Sequence, residues 1–180
     1  LVKPDRLLYQ QVNASNLLEC DLDGNLPPGS PVINRTVPVI HGAIYKARPD
    51  VNAILHTHTP AGMAVSSMEC GLLPLNQTAM QFHNRIGYHE FMGVADNFEE
   101  CDHIVKALST HGALVLRNHG LLTVGSSISQ AFVRLFYLER CCESQVMLMT
   151  AAANNNTAIH LPDPKVVEDT ARLWDKDTMQ

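Results

Sequence analysis

The chain is 180 residues long, 46% hydrophobic and 17% charged, proportions of a globular protein with length enough for a substantial core. A formal net charge of −5, with no basic cluster, argues against nucleic acid and anionic membrane as main partners, and no apolar run approaches the roughly 20 residues that span a bilayer. The five cysteines (Cys20, Cys70, Cys101, Cys141 and Cys142) are odd in number and form no CxxC pair, so they read as reduced thiols in a cytoplasmic protein.

The chain opens at Leu1 rather than Met and shows no signal-peptide pattern; residues 1–180 read as one domain that lacks its own N-terminal segment. Asp21 to Asn25 (DLDGN) is a turn, and Leu26 to Pro31 (LPPGSP) a loop too short to divide domains. A helix is expected from Thr36 to Ala47, with Thr36 as cap, Pro38 in the first turn and Pro49 as the stop. A strand follows at Val51 to Thr57, then helices near Pro60 to Met68 and Gln77 to Asn84. Asn97-Phe98-Glu99-Glu100 has the form of a capping box, opening a helix that Gly112 ends. Ala113 to Leu116 is a strand, continued at Leu121 to Val124. The longest helix runs from about Ser127 to Ala152, with Ile128, Phe132, Leu135, Cys142, Val146 and Met149 at helical spacing toward the core. Asn154 to Thr157 is a polar hinge before a short helix at Lys165 to Trp174. Strands and helices alternate, the pattern of a sheet with helices on its faces.

The histidines at the strand ends carry the chemistry. His56 and His58 (LHTHT) end the apolar run VNAIL, and side chains alternate along a strand, so both project from one face and can bite one ion. His119 follows the apolar run ALVL and is succeeded at once by Gly120. Three imidazoles would leave a fourth position open for water or substrate, as catalytic zinc sites do. Any one of the nine histidines, taken singly, reads as a hydrogen-bonded core or surface residue.

ARPDVNAILHTHT (47–59) and NHGLLTVG (118–125) resemble the class II aldolase/adducin family, and the resemblance runs from about Pro4 to Ala151. That family includes sugar-phosphate aldolases, an epimerase, a dehydratase and the head of adducin. The resemblance implies a three-layer α/β/α domain with a mostly antiparallel central sheet and the metal at its edge. It also implies a homotetramer with active sites at subunit boundaries, and a divalent ion, foremost zinc, with manganese or iron as alternatives. His56, His58 and His119 match the metal ligands.

Two departures bear on substrate and proton transfer. The aldolases place Ser-Ser-Glu before the histidine that matches His41; here the positions are Arg35, Thr36 and Val37, and a valine neither takes a proton nor ligates a metal. His41 and Tyr88 are the remaining proton carriers, Tyr88 by approximate match to a tyrosine that acts across a subunit boundary. Their alternatives are a backbone hydrogen bond for His41 and strand packing for Tyr88. Where a phosphate pocket is expected the chain has Asp5 and Arg6, so Arg6, Arg35 and Thr36 become the substrate-binding candidates, with an arginine paired to a carboxylate. Three functions compete: a lyase performing retro-aldol cleavage or decarboxylation of a small hydroxy- or oxo-acid or a sugar-derived substrate, a non-heme iron oxygenase, and a non-catalytic module like the adducin head. The adducin head lacks the zinc histidines, so their retention counts against that third reading.

Overall fold

Four short apolar runs become strands in a computed structural model of the chain, which describes residues 1–93 and 100–176. They are β1 (Ala53–Thr57), β2 (Ile86–His89), β3 (Ala113–Leu116) and β4 (Gly120–Gly125), joined in the order β1-β4-β3-β2. β1–β4 and β3–β4 run antiparallel and β2–β3 parallel, so the sheet is mixed with two of three pairings antiparallel. Every residue of β3 and β4 is buried, which is why their sequences, Thr123 excepted, are apolar throughout instead of alternating. β1 and β2 are the edges.

The chain forms two compact units, residues 1–49 with 92–106 and residues 50–91 with 107–180. In the second, α2 (Pro60–Ser66) and the long α5 (Ile128–Asn154) pack on the sheet, α5 against both β1 and β4. Val65, Phe82, Val115, Leu121, Leu138 and Cys142 form the heart of the shared core. Thr123 donates its buried hydroxyl to Ala131 O (2.8 Å), and a Cβ on Gly125 would meet Ala131 N at 2.7 Å, so the first turns of α5 lie close against the end of β4. That contact sets the phase of the helix. Ala131, Leu135, Leu138, Cys142 and Gln145 face inward, whereas Ile128 and Phe132, expected in the core, are 75% and 56% exposed. The helix begins close to its expected start, and Ser127 is its cap, accepting from Gln130 N–H.

Other expectations shift by small amounts. α3 is a single turn, Gln77–Met80, capped by Asn76. α6 spans Pro164–Lys176 and lies on its own chain: Trp174 packs on Tyr137 with ring centroids 6.4 Å apart, and Asp175 takes a bidentate pair from Arg85. α4 covers Glu100–Leu108; the capping box proposed around Asn97 lies outside the described residues.

The first unit centres on the helical stretch expected from Thr36 to Ala47. Its cap is Asn34 rather than Thr36: Asn34 Oδ1 accepts both the backbone N–H (3.0 Å) and the hydroxyl (3.1 Å) of Thr36. Pro38 has no N–H to close an α-type bond, and the stretch widens into a π-helical turn, Pro38–Gly42, before α1 (Ala43–Ala47). The Asp21–Asn25 turn packs on it; Gly24 takes φ +84°, and a Cβ on Gly42 would meet Leu22 O at 2.3 Å.

Candidate metal centre

β1 delivers His56 within the strand and His58 one residue past its end. The third histidine comes from the hairpin that joins β3 to β4. His119 N–H closes a turn onto Leu116 O (3.1 Å), and Asn118 sits at its left-handed position with φ 55°, which asparagine tolerates well. Gly120 then brings the hairpin against the end of β1. A Cβ there would lie 2.3 Å from Thr57 O and 3.2 Å from His58 Cδ2, so only a residue without a side chain permits this approach. The glycine after the third histidine thus has a steric reason.

The three rings form a triangle with centroids 4.6 to 4.8 Å apart, and a ligating nitrogen of each lies within 4.8 Å of the others. His56 Nδ1 is 2.8 Å from Leu121 O; a carbonyl only accepts, so Nδ1 carries the proton and Nε2 presents its lone pair. His58 Nε2 is 2.8 Å from that Nε2. A tetrahedral ion with Zn–N bonds of about 2.0–2.1 Å needs nitrogens roughly 3.3 Å apart, within the span that these rings cover. Among the described residues the cluster contains histidines alone. His56 and His119 are half-buried and His58 exposed, so the cluster opens to solvent. The donor set fits a divalent ion with a free coordination position.

Polar contacts brace this corner. Thr59 donates its hydroxyl to Glu139 of α5. Arg117, next to the hairpin turn, donates to Met68 O (2.5 Å) and Glu69 O (3.3 Å) and lies over the Tyr88 ring at 4.6 Å. Gln145, almost fully buried, accepts from Leu73 N–H and donates to Gly71 O, pinning the same loop. None of Glu139, Arg117 or Gln145 stands out in the sequence, where each reads as one more polar residue of a helix or turn.

Tyr88, on β2, accepts the Leu72 N–H (3.0 Å) and packs against the core of its own chain; burial raises its phenol above the ordinary range. Gly71 makes room for it, since a Cβ there would sit 2.6 Å from the tyrosine hydroxyl. Beside it His89 is buried at the strand end, and Glu90 lies 3.9 Å from Arg117 Nε. The other candidates belong to the first unit. His41 is half-buried on the π-helical turn, and burial pushes its imidazole down to about 4. Thr36 is tied to Asn34. Arg6 is exposed, in the left-handed region (φ 63°) and 3.9 Å from Asp5, and Arg35 is exposed as well.

Residues 1–146 match the family model described as Class II Aldolase and Adducin N-terminal domain. A Pseudomonas aeruginosa protein whose name places it among class 2 aldolases is 41% identical over 163 residues, 90% of this chain and 62% of its own length. Rat (Rattus norvegicus) alpha-adducin is 39% identical over 91% of this chain and 23% of its own. The solved structure of an L-fuculose 1-phosphate aldolase from Glaciozyma antarctica superposes with a TM-score of 0.79 at 28% identity, covering 96% of this chain and 66% of that one. The chain therefore spans less than two thirds of these relatives' lengths.

Proposed function

We propose that this chain, which belongs to the class II aldolase and adducin N-terminal domain family, is the metal-binding part of a divalent-metal-dependent carbon–carbon lyase. The observation that carries the reading is the convergence of His56, His58 and His119 with the His56 tautomer fixed by Leu121 O. An ion held there by neutral imidazoles keeps its full double charge and supplies Lewis acidity to oxygens that become negative as a carbon–carbon bond breaks. The likeness to a fuculose-phosphate aldolase supports retro-aldol cleavage, with decarboxylation as the kindred reaction. Zinc is the ion we propose, ahead of manganese and iron. For the substrate we propose a small hydroxy- or oxo-acid, with its carboxylate paired to Arg6 or Arg35 and a contact to Thr36.

Two side chains are proposed as proton carriers. His41 would offer a neutral imidazole as the proton acceptor, a weak base because burial holds it near 4. Tyr88 would donate one: its oxygen accepts from Leu72 N–H, which leaves the phenolic proton to give, and burial keeps that proton on. A homotetramer with sites at subunit boundaries is proposed from the resemblance, and the exposed apolar row Ile128, Phe132 and Phe136 along α5 supports association. The likeness to alpha-adducin favours a second reading, a binding module without catalysis, against which the three histidines count.

Metal analysis of the purified protein, repeated on His56→Ala and His119→Ala, tests the centre. We expect one zinc per chain and its loss from both variants without unfolding; a full complement of metal in either variant refutes the assignment. A panel of hydroxy- and oxo-acids beside fuculose and rhamnulose phosphates tests the substrate, and tighter binding of the sugar phosphates refutes that choice. Sedimentation showing a stable monomer at micromolar concentration refutes the tetramer.

A further inference from the structure

We infer that Glu139 is a positioning residue for the metal centre, acting from α5 through the hydroxyl of Thr59, an inference that rests on the metal-binding reading above. Thr59 follows His58 directly and is the N-cap of α2, with extended backbone (φ −72°, ψ 148°) and its carbonyl accepting the Met63 N–H at 2.8 Å. A threonine in that place ordinarily turns its oxygen back onto the first free N–H groups of its own helix. Here it makes no such cap bond. The hydroxyl instead donates outward to Glu139 Oε2, eighty residues along the chain.

Two further observations show that this bond is built in. Glu139 is half-buried, and among the described residues it pairs with no cation, so the Thr59 hydroxyl is its hydrogen-bond partner. Gly62 stands inside α2, where glycine is a poor helix former. A Cβ at Gly62 would lie 2.7 Å from Thr59 Oγ1 and 2.9 Å from the Leu121 side chain, so its absence leaves the space that the hydroxyl occupies.

The direction of the contact fixes its role. Leu55 on β1 packs toward the core cluster that holds Leu135 and Leu138 of α5, and alternation turns His56 and His58 to the opposite face. Glu139 therefore grips the chain from behind the histidines. It touches no ligating nitrogen in the structure and is not a catalytic residue. What it does is anchor the residue after His58, at the point where an edge strand would otherwise fray. Partners that hydrogen-bond a ligand itself are worth about 10- to 100-fold in metal affinity, and Glu139, one residue further out, acts at the low end of that range.

The test is zinc affinity of the full chain, measured by competition with a chromophoric chelator, for Thr59→Val, Thr59→Ser, Glu139→Leu, Glu139→Gln and the Thr59→Val/Glu139→Leu pair. Val removes one oxygen at nearly constant shape; Ser keeps the hydroxyl; Gln keeps an acceptor oxygen. We expect Thr59→Val and Glu139→Leu each to weaken zinc at least tenfold, the pair to be no weaker than either alone, and Ser and Gln to stay near the parent protein. If Glu139→Leu does not fold, Thr59→Val against Thr59→Ser carries the comparison. Parent-like affinity in Thr59→Val, or losses that add in the pair, overturns the inference and leaves the metal centre standing. Failure of the parent protein itself to bind zinc overturns both.

Discussion

Replacing Gly120 with alanine tests whether the hairpin and β1 are held at the distance that the histidines need. The new Cβ would sit 2.3 Å from Thr57 O, 3.3 Å from Thr57 C and 3.2 Å from His58 Cδ2. Ordinary carbon–oxygen contacts fall at about 3.3 Å, so one partner must move by roughly 1 Å. The obstacle is backbone that is hydrogen-bonded in the β1–β4 ladder, where Thr57 faces Leu121, and it cannot swing aside as a side-chain tip would. Overpacking of this sort costs about 1–3 kcal/mol. The effect on metal should be larger in proportion, because His58 and His119 lie on the two sides of the displaced contact and ligand distances tolerate only about 0.2 Å. We expect Gly120→Ala to melt several degrees lower without metal and to bind zinc at least tenfold more weakly. Thermal unfolding by circular dichroism and the chelator titration measure the two effects. Parent-like values in both would show that the close approach of Gly120 to Thr57 does not govern the site.

Burial holds His41 neutral down to about 4, against 6.5 when the chain unfolds, so the unfolded state binds the extra proton first as pH falls. Stability should therefore decline between about pH 6.5 and 4, by up to roughly 3 kcal/mol, and His41→Leu should flatten that slope in urea unfolding; an unchanged slope refutes the assignment. Tyr88→Phe removes the acceptor for Leu72 N–H and should cost about 1–2 kcal/mol. If Tyr88 also donates the proton, turnover of an accepted substrate falls about a hundredfold or more beyond that; a loss of stability alone limits the residue to its packing role.

The parts of this molecule that are legible in its sequence are those governed by short periods. The runs AILHT and ALVL are strands, the 27-residue helix begins one residue after its serine cap, and HxH places two rings on one side of an edge strand. Contacts between distant segments are not legible. The phase of α5 depends on how closely Ala131 approaches β4, which no pattern within the helix encodes, and so Ile128 and Phe132 read wrongly as core. The cap falls on Asn34 instead of Thr36 because both are good acceptors and only the backbone path decides between them. The bracing by Glu139, Arg117 and Gln145 joins residues 48 to 80 positions apart, and nothing local marks it.

The triad draws two members from the end of β1 and the residue just past it, and the third from a hairpin about sixty residues further on. The β3–β4 hairpin closes over three residues, from Leu116 to Gly120, and such local pairings form in microseconds. Pairing β1 with β4 must first close a loop of about sixty residues, a late and entropically costly event. Until then there is no place for an ion with three ligands. Zinc should therefore act on the kinetic limb that leaves the native state, slowing unfolding while leaving the refolding rate as it is without metal. In a cell the ion would lengthen the lifetime of the finished fold without helping the chain to reach it.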